Sequence, residues 1–109
     1  MDIAISKNGV PIRLTSERWQ HITTGYPEIA DYYYEILETL ETPEIIYEGN
    51  NDAKIAIKKF QERFPKFVVV VYKEIPNAFG TNDGFIITAH FSNKEQEFKK
   101  KKILWKQQS

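Results

Sequence analysis

Apolar positions along this chain recur at two different periods, and the change of period divides it. Ile3, Ile5, Val10, Ile12 and Leu14 alternate with polar neighbours on either side of Asn8-Gly9, which predicts a short hairpin over residues 3–14. Thr15 or Ser16 then reads as a helix N-cap with Glu17 in the first turn. That helix runs through Arg18, Trp19, His21 and Ile22 and stops at Gly25, before Pro27. Pro27-Glu28 opens a second helix, because Ile29, Tyr32, Tyr33, Ile36, Leu37 and Leu40 form one stripe spaced at three and four, and Pro43 ends it.

Beyond Pro43 the period becomes two. Ile45 to Glu48 is a short strand closed by the turn cluster Gly49-Asn50-Asn51-Asp52. Ala53 to Phe60 alternates, with Ala53, Ile55 and Ile57 on one face and Lys54, Ala56 and Lys58 on the other. Phe64-Pro65 marks a turn, and Phe67 to Ile75 is a β-branched run of the kind found in central strands. A loop from Pro76 to Gly84, with Asn77 and Gly80, precedes a last clear strand, Phe85 to Phe91. Residues 93–109 mix charge with Phe98, Ile103, Leu104 and Trp105 and fit a short helix, a final strand or a partly ordered arm.

The expected architecture is therefore α+β: two N-terminal helices followed by a four-stranded antiparallel sheet. One domain spans residues 1–109, with its core at about 10–92 and a basic C-terminal tail from 93 to 109. In the last strand, Phe85, Ile87, Ala89 and Phe91 should face the helices, leaving Ile86, Thr88 and His90 opposite. Lys54, Lys58, Lys73, Thr88 and His90 would then form one polar sheet face open to a ligand.

Composition narrows the chemistry. The chain has no cysteine, so thiolate catalysis, disulfides and cysteine-based zinc sites are excluded. Two histidines among scattered carboxylates give no metal-ligand spacing, and no metal or cofactor is expected. Asp52-x-Lys54 after Glu44 is a weak metal-nuclease signal. The longest apolar run is too short to span a membrane and the first residues lack a signal-peptide pattern, so a cytoplasmic protein is expected. The charges are segregated: residues 1–50 hold nine acids against three bases, and residues 51–109 six acids against twelve bases. A folded basic layer would attract a polyanion such as RNA. Lys99 to Lys102 reads either as a nucleic-acid patch or as a solubilising tail, and Tyr32-Tyr33-Tyr34 either as a base-stacking surface or, for two of the three, as core.

Arg18-Trp19-x-His21-Ile22, Tyr26-Pro27-Glu28, the valine-rich strand ending in Tyr72-Lys73, and Phe85-Ile86-Ile87-Thr88-Ala89 resemble a phage- and bacteria-associated predicted nuclease family of the barnase–EndoU–colicin–RelE superfamily. The resemblance covers residues 12–92. It implies a barnase- or RelE-like nuclease fold and a metal-independent endoribonuclease, used as a toxin or in phage–host conflict, acting on tRNA or mRNA by general acid/base transesterification. A toxin of this kind would be held by an antitoxin or immunity protein. His21 is the leading acid/base, since imidazole titrates near neutrality. Arg18 and Lys73 would clamp phosphate and Thr88 would donate to a phosphoryl oxygen. His90, Lys58 and Tyr47 are second choices for the chemistry, and Lys54 and Lys58 would bind substrate. His90 stands where relatives often carry a small or aromatic residue, which ranks it below His21 and Thr88. The competing reading is a non-catalytic module that uses the same face to bind RNA or protein.

Overall fold

A computed structural model describes residues 2–60, 67–76 and 82–108. The expected turn at Phe64-Pro65 and the loop residues Asn77 and Gly80 lie outside them. The strands are β1 (Asp2–Ile5), β2 (Pro11–Leu14), β3 (Ile45–Glu48), β4 (Lys54–Lys59), β5 (Phe67–Pro76), β6 (Asn82–Ser92) and β7 (Ile103–Lys106), with the helices α1 (Ser16–Gly25) and α2 (Tyr33–Glu41) between β2 and β3. The strands form one mixed sheet in the order β1-β2-β6-β5-β4-β3-β7.

The class is α+β, but the expected four-stranded antiparallel sheet behind two leading helices is wrong. The first hairpin belongs to the sheet. Gly9, at φ +78, supplies the left-handed turn residue that Asn8-Gly9 predicted, and β2 then lies parallel to β6, with Ile12 opposite Gly84 and Arg13 opposite Phe85. Alternation within residues 3–14 revealed the strands but not a partner so distant in sequence. At the other edge, β7 pairs antiparallel with β3.

Local rules account for α1. Thr15 caps it, its Oγ1 accepting the Arg18 N–H at 3.1 Å. The second helix is shorter than its stripe predicted. Pro27–Ile29 forms a 3-10 turn, and α2 begins only after Tyr32, whose φ of −121 is non-helical. Ile29 and Ile36 sit seven apart and are both fully buried, so a continuous and a broken helix produce the same pattern.

Two apolar layers sandwich the sheet. The larger one joins Ile22 of α1, and Ile36 and Leu40 of α2, to Ile12, Leu14, Val68, Val70, Tyr72, Ile86 and Ala89 of the sheet. α2 packs against β1, β4 and β5. Lys7, in the first hairpin's turn, lies 4.9 Å from the ring centre of Trp105 on β7, so the two ends of the strand order approach one another and the sheet curls around α2. The smaller layer, on the opposite face, gathers Tyr47, Ile55, Ile57 and Val69 under Phe98. Phe98 comes from residues 93–102, a strap that includes a 3-10 turn at Glu95–Glu97 and crosses this face before β7.

Candidate functional site

Register decides which side chains share a face, and one irregularity in β6 changes the expected answer. Val71 is opposite Thr88, but Tyr72 is opposite Ile86, so Ile87 is the extra residue of a β-bulge. The bulge resets the alternation. Ile86, Ala89 and Phe91 face the helices, as do their partners Tyr72, Val70 and Val68. Phe85 does not, contrary to expectation; it pairs with Lys73 and is 36% exposed. Phe85, Thr88 and His90 therefore lie on the second face, with Lys73.

The expected single polar face is also split at β4. Ala56 is fully buried in the helix-side layer, and Lys54 and Lys58 share its face. Lys58 Nζ lies 3.3 Å from Glu38 Oε2 and donates to Thr42 Oγ1 at 2.7 Å, tying β4 to α2. Lys54 Nζ lies 3.0 Å from Glu74 Oε1. Glu74 also accepts from Ser6 Oγ at 2.5 Å and Asn8 Nδ2 at 2.9 Å. Burial pushes the Glu74 carboxyl up, but the bonds from Ser6, Asn8 and Lys54 outweigh it and hold the group below its ordinary 4.5. Both lysines are thus engaged in holding the first hairpin and α2 to the sheet. The error arose because alternation showed two faces of β4 without showing that both are covered: Ile55 and Ile57 are needed under the strap.

Tyr47 is buried as well, its ring stacked on Phe98 with centroids 6.0 Å apart and planes at 24°. His21 and Arg18 come together as their spacing implied. With Thr15 and Glu17 they line a shallow depression of about 340 Å³ on α1. His21 is exposed there. Among the described residues, no hydrogen bond or ion pair joins this pair to Lys73, Thr88 or His90.

His90 has the more elaborate surroundings. It sits opposite Val69, its ring stacked on Tyr26 with centroids 5.2 Å apart and planes at 27°. Its Nδ1 is buried and has no hydrogen-bond partner among the described residues. Burial pushes the imidazole below its ordinary 6.5, and the carboxylates of Glu97 and Glu28 offset only part of that. His90, Ser92, Asn93, Lys94 and Glu97 line an open depression of about 300 Å³, with Thr88 two residues back on the same strand face. Tyr26 and Glu28 are named from sequence only as part of the Tyr26-Pro27-Glu28 motif, with no role at a site, and Lys94 and Glu97 are not singled out at all. Tyr26, an exposed aromatic placed by the end of α1, carried a faint signal. Glu97 and Lys94 carried none, because only the course of the strap brings them to β6.

Among the described residues, no group of three histidine or acidic side chains could hold a metal ion. Asp52 is exposed in a turn at φ +65, Lys54 bonds to Glu74, and Glu44 accepts the Lys59 N–H at 3.0 Å, so the Asp52-x-Lys54 signal with Glu44 is not gathered into one site. No helix among the described residues is long and apolar enough to cross a membrane. No known protein family, curated protein or solved structure matches this chain.

Proposed function

We propose that this chain is a metal-independent endoribonuclease of the barnase–EndoU–colicin–RelE superfamily, acting on RNA in the cytoplasm, with His90 as its general base. The observation that supports this most is the environment of His90: a half-buried imidazole whose pKa is lowered by burial, stacked on the Tyr26 ring beside a depression lined by Lys94 and Glu97. A neutral imidazole can take the proton of a ribose 2′-hydroxyl at Nε2, since Nδ1 is buried. The 2′-oxygen then forms its bond to the adjacent phosphorus as the bond from phosphorus to the 5′-oxygen breaks. The products are a 2′,3′-cyclic phosphate and a 5′-hydroxyl, whose proton comes from water. Lys94 and Lys73 would offset charge on the phosphoryl oxygens, and the Thr88 hydroxyl would donate to one of them. Tyr26 offers a flat ring for a neighbouring base. His21 and Arg18, on α1, then serve to hold the RNA backbone. A toxin or phage–host effector built this way would require a neutralising partner protein.

The test is cleavage of total tRNA and of a structured RNA in EDTA, resolved on a denaturing gel. The parent should give discrete products ending in 2′,3′-cyclic phosphate. His90→Gln should lose about 100-fold or more in rate, and His21→Ala only a few-fold, as expected of a phosphate contact. Circular dichroism of each variant establishes that it is folded. Because the base must be neutral, the parent's rate should rise with pH through a midpoint below 6.5 and then level off. Binding of RNA without cleavage by the parent would replace this reading with the non-catalytic module. Loss of cleavage in His21→Ala alone would return the chemistry to α1.

A further inference from the structure

The strap covers the second face incompletely. Phe98 is its one apolar side chain buried against the sheet. Beside it a cavity of about 350 Å³ remains, walled by Ile45, Ile57, Phe67, Phe98 and Ile103. That volume lies within the range of small-molecule sites, which are apolar with a few convergent polar groups. Here the polar residues of the lining are Lys99, Lys106, Glu44 and Tyr47, two of them cationic. Lys99 and Lys106 line the cavity, and Lys59 Nζ stands 5.8 Å from the Phe67 ring centre at its margin. Among the described residues the one acid in the lining is Glu44, whose Oε1 accepts the Lys59 backbone N–H; its single negative charge faces the three lysines Lys59, Lys99 and Lys106. Lys54 and Lys58, on the helix side, have carboxylate partners; among the described residues Lys59, Lys99 and Lys106 make no ion pair.

Apolar walls with a surplus of unpaired ammonium groups at the margin suit a ligand that is greasy at one end and anionic at the other. We propose that this cavity binds a small amphipathic carboxylate, such as a medium-chain fatty acid or an aryl alkanoic acid, its apolar body against Phe98 and Ile57 and its carboxylate on Lys99 and Lys106. The site is separate from the His90 depression and does not depend on the RNA reading.

The experiment titrates decanoate, decanol and decylamine, each below its micelle concentration, into the full chain, followed by calorimetry and by amide shifts of residues 99–106. Decanoate should bind about tenfold or more tightly than decylamine, since a charge-assisted contact is lost in the amine. The double variant Lys99→Met/Lys106→Met keeps the side-chain stems and should weaken decanoate by about tenfold while leaving decanol unchanged. Ile45→Trp should fill the cavity and abolish binding of both. Three results would each overturn the assignment: equal binding of all three probes, unchanged decanoate affinity in the lysine double variant, or no binding of decanoate. Uridine monophosphate binding in preference to decanoate would also overturn it, making the cavity a nucleotide site. The lysine variants lie on the surface and keep the test decisive should Ile45→Trp fail to fold.

Discussion

The two faces of the sheet are built to different standards. On the helix side, Ile36, Leu40, Ile12, Leu14, Val68 and Val70 are all fully buried, and charges on that side reach partners: Lys58 reaches Glu38, Lys54 reaches Glu74, and Tyr33 donates to Asp2 at 2.7 Å. On the strap side, Tyr47, Ile55, Ile57, Val69 and Phe98 are buried too, but a cavity remains beside them and His90 Nδ1 has no partner among the described residues. The contrast teaches where stability and chemistry divide. A layer of fully buried side chains tolerates little change. A face with a cavity beside it and lysines without ion pairs contributes less to folding and leaves cations free to meet a ligand.

The contrast can be broken most directly by truncation. Leu40→Ala removes a fully buried side chain between helix and sheet and should cost about 2–5 kcal/mol in urea unfolding. Gly84→Ala comes next. A Cβ there would stand 2.5 Å from both the Lys73 carbonyl oxygen and Ile12 Cδ1, and since the first is backbone, β2 or β5 must shift. We expect a loss of about 3 kcal/mol by the same measurement. Phe98→Ala should cost about 1–2 kcal/mol, below the usual range for a buried phenylalanine, because the strap can settle into the space. A loss as large as that of Leu40→Ala would show that the two faces are equally integral.

Acid sharpens the same comparison. His90 has a folded-state value below its unfolded one, so the unfolded chain binds the proton first and stability should fall as pH drops below 6.5, through the folded value. Glu74, also depressed when folded, stabilises above its unfolded value and should lose that contribution only as pH falls below 4.5. Thermal melts across this range should show two successive declines, the first absent in His90→Gln and the second in Glu74→Gln. The smallest effect concerns the lysines. Lys58→Met removes a half-exposed pair with Glu38 and should cost about 0.5 kcal/mol, whereas Lys99→Met should leave the melting temperature unchanged.

These particulars also show what could be read from residues alone. Period and punctuation located the first hairpin, the Thr15 cap, β3, β4 and the central position of β5, because each depends on neighbours in sequence. Face assignments survived in β5, where alternation is unbroken. They failed in β6, where one bulge at Ile87 exchanged Phe85 for Ile86, and in β4, where both faces are covered. His21 and Arg18 were legible as a pair because one helix holds them. His90 was legible as a candidate, but its stacking on Tyr26 and its approach to Glu97 depend on contacts between distant segments that no local pattern encodes.

The parallel pairing of β2 with β6 also sets a timetable. Ile12 meets Gly84 on a strand that also pairs with β5, so the first hairpin docks on a surface assembled from much later chain. Closing that long loop costs more entropy than closing the β5–β6 pair, so the β2–β6 pairing forms late. The hairpin should therefore join after the rate-limiting step. Substitutions in β1 and β2 should then speed unfolding while leaving the refolding rate nearly unchanged, whereas those in β5 and β6 should slow refolding.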